Sequence, residues 1–280
     1  MQITIRSMFP ADLKLGMRLK TEAGWNQVEA DWRRALVLEP DGCFVALADG
    51  QPAGTTTTCA FGPVAWVAMV LVEACFRGQG IGRALLEHAL AHLDHRGIAS
   101  VRLDATPLGR PLYEKLGFVA EFELSRFAGQ PQAIGGFWPH VEPATADDIG
   151  PIVALDRRST GTDRARLLQY VLADERSKAR VVRSPAGIIG YVLDRPGALA
   201  RQIGPCLGPE SAATALLASA LGRHTGQRVY VDIPRRQQPA CELAEAHGLS
   251  VQRSLVRMTR GPPVAERPEL LWASFGPEKG

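Results

Sequence analysis

The sequence predicts an α/β fold, a mixed α+β sheet built in two successive units, and three observations carry that prediction. Strand-like apolar runs alternate with segments of helical period over residues 1–128. A stretch rich in Gly and Pro and lacking periodicity, "GQPQAIGGFWPHVEP", occupies 129–143 and reads as a linker. The same order of elements then recurs over 144–280. A chain of 280 residues is long for one compact domain and comfortable for two, and its apolar share of 46% suffices for real cores.

Taken in order, "QITIRSM" reads as a strand and "PADLKLGMRLKTEA" as a helix. "QVEADWRRALVLEP" is a second helix, with Trp32, Ala35 and Leu36 at helical spacing. "CFVALADGQPAGTTTTCAF" carries a hairpin signal, two β-prone runs around Asp49-Gly50. "AWVAMVLVEA" is a continuous apolar run bounded by turn residues, as expected of a strand covered on both faces. A helix follows from Ile81 to about His95, then the strand "SVRLDAT", the short helix "RPLYEKLGF" ending at Gly117, and the strand "VAEFELSRFA". In the second unit "ATADDIGPIVALD" answers the opening helix and "KARVVRSPAGIIGYVLD" the strand pair. "GPCLGPESAATALLASALGRH" answers a glycine turn plus helix, and "QRVYVDIPRRQQPACELAEAHGLSV" the following strand, helix and glycine.

Composition narrows the function classes. The net charge of +3 is small, and no arginine-rich stripe with interleaved aromatics points to nucleic acid. The start, "MQITIRSMFPADLK", lacks the layout of a signal peptide, and the longest apolar run is too short to span a bilayer. The 5 cysteines are scattered and never form a CxxC pair, which predicts reduced thiols in a cytoplasm rather than a disulfide framework or a zinc site. His88, His92 and His95 lie on one side of a helix, but no acidic or cysteine partner completes a metal set, so they read as a helix flank.

The informative stretch is "WVAMVLVEACFRGQGIGRALL". Glycine costs backbone entropy, so glycines between a buried strand and a good helix should be repaid by their missing side chains. The first N–H groups of a helix have no intrahelical partner, and the helix dipole adds positive potential. Gly78, Gly80 and Gly82 leave those N–H groups approachable, and Arg77 and Arg83 add charge at the rim, as a pyrophosphate requires. A P-loop would need Gly-Lys-Ser/Thr, and a dinucleotide fingerprint another spacing and another place in the fold. A tight turn with no ligand is the bland alternative.

At these residues the sequence resembles the GNAT superfamily of N-acetyltransferases. Its signature, Gln/Arg-x-x-Gly-x-Gly/Ala, stands here as Arg77, Gly78, Gln79, Gly80, Ile81 and Gly82 after the strand "MVLV". The resemblance covers roughly Ile3 to Phe127, and the second half by order of elements only. It implies two GNAT-like domains, each a mostly antiparallel sheet flanked by helices. It implies a turn, Arg77 to Arg83, that binds the pyrophosphate of acetyl-CoA, and backbone groups of Val70, Leu71 and Val72 presented to the thioester and pantetheine arm. It also places Tyr113 where many members have a general acid, with a structural tyrosine as the alternative. The activity implied is transfer of an acetyl group to a primary amine of a small molecule or protein by direct attack. A non-catalytic acyl-CoA-binding regulator is the competing class.

Such a reaction needs a deprotonated amine, a stabilised oxyanion and a protonated leaving thiolate. A backbone N–H near Leu71 or Val72 is the candidate oxyanion donor. Tyr113, with an ordinary pKa of about 10, can return the proton to sulfur. Cys75 lacks a histidine and aspartate pairing and reads as an inert thiol. Glu73 is the candidate base, acting through water, with Glu29 and Asp31 on the second helix as alternatives and a solvated carboxylate as the bland reading of each. Trp25, Asn26 and Glu29, in and after the first interhelical stretch, are candidates for acceptor binding, and Asp104 for orienting either substrate. In the second half the corresponding turn is Gly204 to Glu210. Its prolines remove N–H donors, Glu210 adds negative charge, and Ala244 stands in the place of Tyr113. That half is expected to be a degenerate support. Oligomeric state is left open.

Overall fold

A computed structural model describes residues 1–133, 138, 140–174 and 177–280. The first half runs β1 (Ile3–Ser7), α1 (Leu13–Glu22), α2 (Glu29–Leu38), β2 (Cys43–Ala48), β3 (Gln51–Phe61), β4 (Val64–Val72), α3 (Ile81–His95), β5 (Ser100–Ala105), α4 (Arg110–Lys115) and β6 (Val119–Gly129). The second runs β7 (Val141–Pro143), α5 (Ile149–Thr160), α6 (Ala165–Leu172), β8 (Lys178–Ser184), β9 (Gly187–Arg195), β10 (Arg201–Leu207), α7 (Glu210–Arg223), β11 (Val229–Pro234), α8 (Gln238–Ala246), β12 (Ser250–Arg260) and β13 (Leu271–Ala273). Of the expected linker, residues 134–137 and 139 lie outside the described residues, and its last three residues form β7 against β8.

The local chemistry accounts for most elements. Asp49 and Gly50 both have positive φ, 46° and 81°, the conformation a two-residue hairpin turn needs to match strand twist. α3 buries Leu86, Leu90 and Leu93 at helical spacing against Ala65, Val67 and Val101 of the sheet. On the opposite face α1 and α2 bury Leu15, Leu19, Trp32 and Ala35 against Val45, Ala68 and Leu71. α7 and α8 cover the second half in the same way, through Leu217, Leu221 and Ala244 against Ile203 and Val231. Among the described residues no helix is long and apolar enough to cross a membrane.

All strands join one sheet, in the order β1-β2-β3-β4-β5-β12-β6-β11-β10-β9-β8-β7, with β13 paired to β10. The two halves exchange their last strands. β12, from the second half, pairs with β5, while β6, from the first, pairs with β11, and the two exchanged strands run antiparallel side by side. The cores follow the exchange: Met258 of β12 packs with Leu86 and Leu103, and Phe127 of β6 packs with Leu217 and Val231. A division of the chain at residue 128 therefore follows sequence order and not the sheet, because β6 lies within the second half's hydrogen-bond ladder.

Each exchanged strand also carries an arginine to a carboxylate of the half it enters. Arg126 of β6 donates to both oxygens of Asp232 on β11 at 2.7 Å and 2.7 Å, and Arg257 of β12 donates to both oxygens of Asp104 on β5 at 2.9 Å and 3.0 Å. All four side chains are at least 98% buried. Burial works against the charge on Arg257, but the Asp104 carboxylate more than offsets it and holds the guanidinium protonated. Removing one partner of a buried pair strands the other, at a cost of about 3–5 kcal/mol. Asp232→Ala is accordingly expected to destabilise the protein by about that amount. Urea unfolding followed by tryptophan fluorescence should show one transition for both halves, shifted to lower denaturant.

Candidate active site

β4 pairs with β5 in parallel over only Val64↔Ser100, Ala65↔Val101 and Trp66↔Arg102. Beyond Trp66 the strands part, and a cleft of ≈ 690 Å³ opens between them. The divergence coincides with a bulge in β4, where the register to β3 slips between Thr55↔Leu71 and Thr57↔Ala68 and Met69 takes φ 54°. The threonine run holds this bulge. Thr55 donates its hydroxyl to the Met69 carbonyl at 3.0 Å, and Thr56 and Thr57 donate to the Ala68 carbonyl at 3.3 Å and 3.4 Å. In a trans peptide the N–H points opposite to the preceding C=O. Two successive carbonyls turned towards β3 therefore turn the N–H groups of Met69 and Val70 away from β3, to the side of the cleft.

β4 ends in the glycine turn. Gly78 and Gly80 have φ 76° and 87°, a region that disfavours side chains, and a Cβ at either would project into open space. Gly80 caps α3, whose first intrahelical bond runs from Ala84 N–H to the Gly80 carbonyl at 3.0 Å. Among the described residues the N–H groups of Ile81, Gly82 and Arg83 have no protein acceptor, which leaves them for a ligand. Arg77 lines the cleft and donates its Nε to the Val72 carbonyl at 3.0 Å. The other side chains of the turn point elsewhere: Gln79 donates to Cys75 O at 3.0 Å, Ile81 is buried against α3's own core, and Arg83 pairs with Glu87 at 2.8 Å.

Tyr113 enters the same cleft from α4. Its ring lies so close to Gly109 that a Cβ there would stand 2.9 Å from Cε2, so the glycine makes room for it. Burial pushes the hydroxyl up to about 12, which keeps it protonated as a proton donor must be.

Trp25 lines the cleft from the α1–α2 connection, and Val70, Leu71 and Val72 line it from β4. Asn26 does not, contrary to its expected acceptor role. Its side-chain oxygen accepts from Leu199 N and Ala200 N at 2.9 Å and 3.0 Å, and its amide donates to Ala200 O at 3.0 Å. It staples the α1–α2 loop to the loop before β10, with both its oxygen and its nitrogen engaged there. Glu29 is exposed on α2, paired with Arg33 and away from the cleft. Asp104 reaches the cleft wall, yet both its oxygens are held by Arg257. Glu73 follows β4 and is ion-paired with Arg18, outside the lining of the cleft. Four ionisable residues of the lining were not singled out from sequence: Glu22, Arg126, Arg253 and Glu278. Only strand register, which brings β6 and β12 together, reveals the two arginines. Among the described residues no histidine, cysteine and carboxylate group is arranged to hold a metal, and His88 and His92 stack edge-on against Phe44 at 4.6 Å and 5.4 Å.

Among the described residues the corresponding gap of the second half is filled, and the expected turn is corrected there. Gly204 to Leu207 belong to strand β10, so the lost N–H of Pro205 concerns the sheet, and only Gly208-Pro209 precede α7. β10 and β11 are parallel over Arg201↔Val229 to Ile203↔Val231 and then part, as β4 and β5 do. Here β13 fills the gap: Ala273 pairs with Cys206 and Leu271 with Leu207, while Ser274 N–H bonds to Asp232 O at 2.8 Å. A Cβ on Gly204 would come within 2.0 Å of Ser274 O, so the inserted segment depends on that glycine.

The comparisons agree with this geometry. Residues 11–118 match the family described as acetyltransferase (GNAT) family, and 152–273 the one described as acetyltransferase (GNAT) domain. The chain is 30% identical over 217 residues to the holothin acyltransferase of Pseudoalteromonas sp. (strain SANK 73390), covering 75% of this chain and 71% of the relative. In fold it is similar to the crystal structure of "A Putative Acetyltransferase" from Pyrococcus horikoshii, with TM-score 0.87 and 22% identity over 99% of this chain and 96% of that one. It is also similar to a tandem GNAT protein of the clavulanic acid biosynthesis pathway, with TM-score 0.64 and 14% identity over 94% and 100%. A strand that splays at a bulge, a glycine turn opening a helix and the same architecture repeated along the chain thus meet in one conclusion: this protein is an acyltransferase of the GNAT family, carrying two GNAT domains in tandem.

Proposed function

We propose that the protein transfers an acetyl group from acetyl-CoA to an amine, using the open cleft between β4 and β5. The observation that carries this reading is the convergence, in one cleft, of a helix-opening turn with unpartnered N–H groups, a bulged strand and a half-buried tyrosine. The fit to a CoA ester rests on the chain's own donors. The N–H groups of residues 81–83, with Arg77 beside them, suit a pyrophosphate. Between diverging strands, the backbone of Val70 to Val72 suits the amide groups of a pantetheine arm.

Acetyl-CoA supplies an activated carbonyl and a thiol leaving group. The protein's part is positioning and charge. The Val70 N–H, freed by the bulge, serves as donor to oxygen charge that develops at the carbonyl, an arrangement that removal experiments elsewhere value at about 2.7–4 kcal/mol per donor. Tyr113 holds its proton for the departing sulfur. Glu73, pinned by Arg18 beyond the cleft wall, reaches the amine only through water, and Glu22 lies nearer, in the lining itself.

Release of CoA in the presence of an amine panel separates this enzyme from a non-catalytic acyl-CoA-binding regulator, which would bind without turnover. Tyr113→Phe is expected to lower kcat by about 100-fold, with the acetyl-CoA Kd from calorimetry unchanged. Because the hydroxyl stays protonated up to about 12, the ratio of wild-type to variant kcat should be flat from pH 7 to 10. A ratio that falls near about pH 10 would mean an ordinary tyrosine rather than a buried acid. Gly80→Glu should weaken acetyl-CoA binding more than about tenfold, by charge repulsion added to the strain of positive φ. Gly80→Ala, which carries the strain without the charge, should lose less; equal losses would place no phosphate at the turn.

A further inference from the structure

The end of the cleft built by the exchanged strands has a charge that the protein does not balance. Arg253 of β12 and Arg126 of β6 are register partners, directly opposite each other, and both line the cleft. Like charges facing across two antiparallel strands are destabilising. Asp232 answers one of them, through the bidentate bond to Arg126. Among the described residues Arg253 has neither a carboxylate partner nor a hydrogen-bond acceptor, although it is half-buried. Burial and then Arg126 push its pKa down.

The carboxylates nearby do not supply the missing charge. Glu278 is held by Arg195 and by Gln27 Nε2 at 3.2 Å, Glu22 pairs with Arg18 at 3.6 Å, and Asp104 is taken by Arg257. Arg77 is the other cleft arginine lacking a carboxylate, and it belongs to the glycine turn.

The internal repeat provides a control. Gly117 precedes β6 and Gly248 precedes β12, and at the same step beyond them stand Arg126 and Arg257. Phe122 and Arg253 likewise hold one repeat position. On the closed side Phe122 faces Arg257 across the strands and stacks under it, 5.2 Å from ring centroid to guanidinium carbon. On the open side an arginine stands where the repeat has that aromatic ring. Packing alone therefore accepts a neutral residue here, and the cationic choice coincides with the side that has a cleft.

We infer that Arg253 is an anchor for a carboxylate on the acceptor, so that the amine acetylated belongs to an amino-acid-like molecule carrying both groups. This rests on the acetyl-transfer reading above. An arginine presents a planar fork that matches a carboxylate in two parallel bonds, and Arg126 beside it adds to the field.

The test uses the full-length protein with acetyl-CoA and CoA release as readout. The common amino acids, their carboxamides and benzylamine form the panel. At least one free amino acid should be acetylated with kcat/KM roughly 100-fold above its carboxamide, since a site built around a polar group rejects an analogue lacking it. Arg253→Gln should abolish that preference by raising KM for the acid, with the acetyl-CoA Kd unchanged, and Arg253→Lys should restore part of it. Carboxamides or benzylamine used as well as the acids, or a preference that survives Arg253→Gln, overturn the anchor and leave acetyl transfer standing. CoA release with no member of the panel, in protein that binds acetyl-CoA, overturns the reading of acetyl transfer to an amine together with the anchor.

Discussion

Two buried ion pairs, Arg126 with Asp232 and Arg257 with Asp104, are the constraint on which the rest of the molecule depends. Each joins a strand from one half to a strand of the other, and each is dry enough that neither partner can be left alone. Slipping β6 or β12 by one residue would carry its arginine to the opposite face and leave a carboxylate uncompensated. The pairs thus penalise every register but one. With register fixed, β12 lies along β5 on the side away from β4, and its Arg253 and Leu255 help to line the cleft. In this sense the second half belongs to the cleft.

The two halves use one geometry in opposite ways. Both contain a pair of parallel strands that part after three residues in register. In the first, the gap stays open because the β4 bulge is tied back to the threonines of β3, and the following turn offers N–H groups to something outside the chain. In the second, the chain returns and fills the gap with β13, burying Trp272 in the core beside α7. An internal strand satisfies the same backbone groups at no cost in translational freedom, and nothing else need bind there. The segment after it, Phe275 to Gly280, lies between the halves, with Arg195 bonded to Phe275 O at 2.7 Å and Glu278 reaching the cleft.

Features encoded by neighbours in sequence were legible in it. α3 spans Ile81–His95 as its periodicity requires, the Asp49-Gly50 hairpin has the expected turn, and the glycine turn opens α3 where the motif places it. Features encoded by distant neighbours were not. The strand exchange cannot be read from β6 or β12 alone, because each has the same alternation whichever strand it meets. Arg126 and Arg253 looked like ordinary strand arginines until register set them opposite each other. Asn26 had the chemistry of a ligand-binding amide, and only the backbone at Leu199 and Ala200 revealed its use. α6, whose Leu167 and Val171 pack on Phe61 and Trp66 of the first half, went unread although α2 holds its place in the repeat, and β13 went unread because no strand of the first half corresponds to it. Pro205 was read as part of a turn, although it sits inside a strand, where it removes one ladder bond.

The exchange also orders events in time. When the ribosome has made residues 1–118, β5 still has a bare edge, since its neighbour β12 begins only at Ser250. An unpaired, apolar strand edge is a template for the wrong partner, another nascent chain included. The first half must therefore wait for residues 250–260 before its sheet closes. Contacts of such sequence separation make folding slow, because the loop between them has to be closed before pairing offers any return. The open cleft is then among the last parts of the molecule to form, and a chain halted before β12 lacks the part of its lining that Arg253 and Leu255 supply.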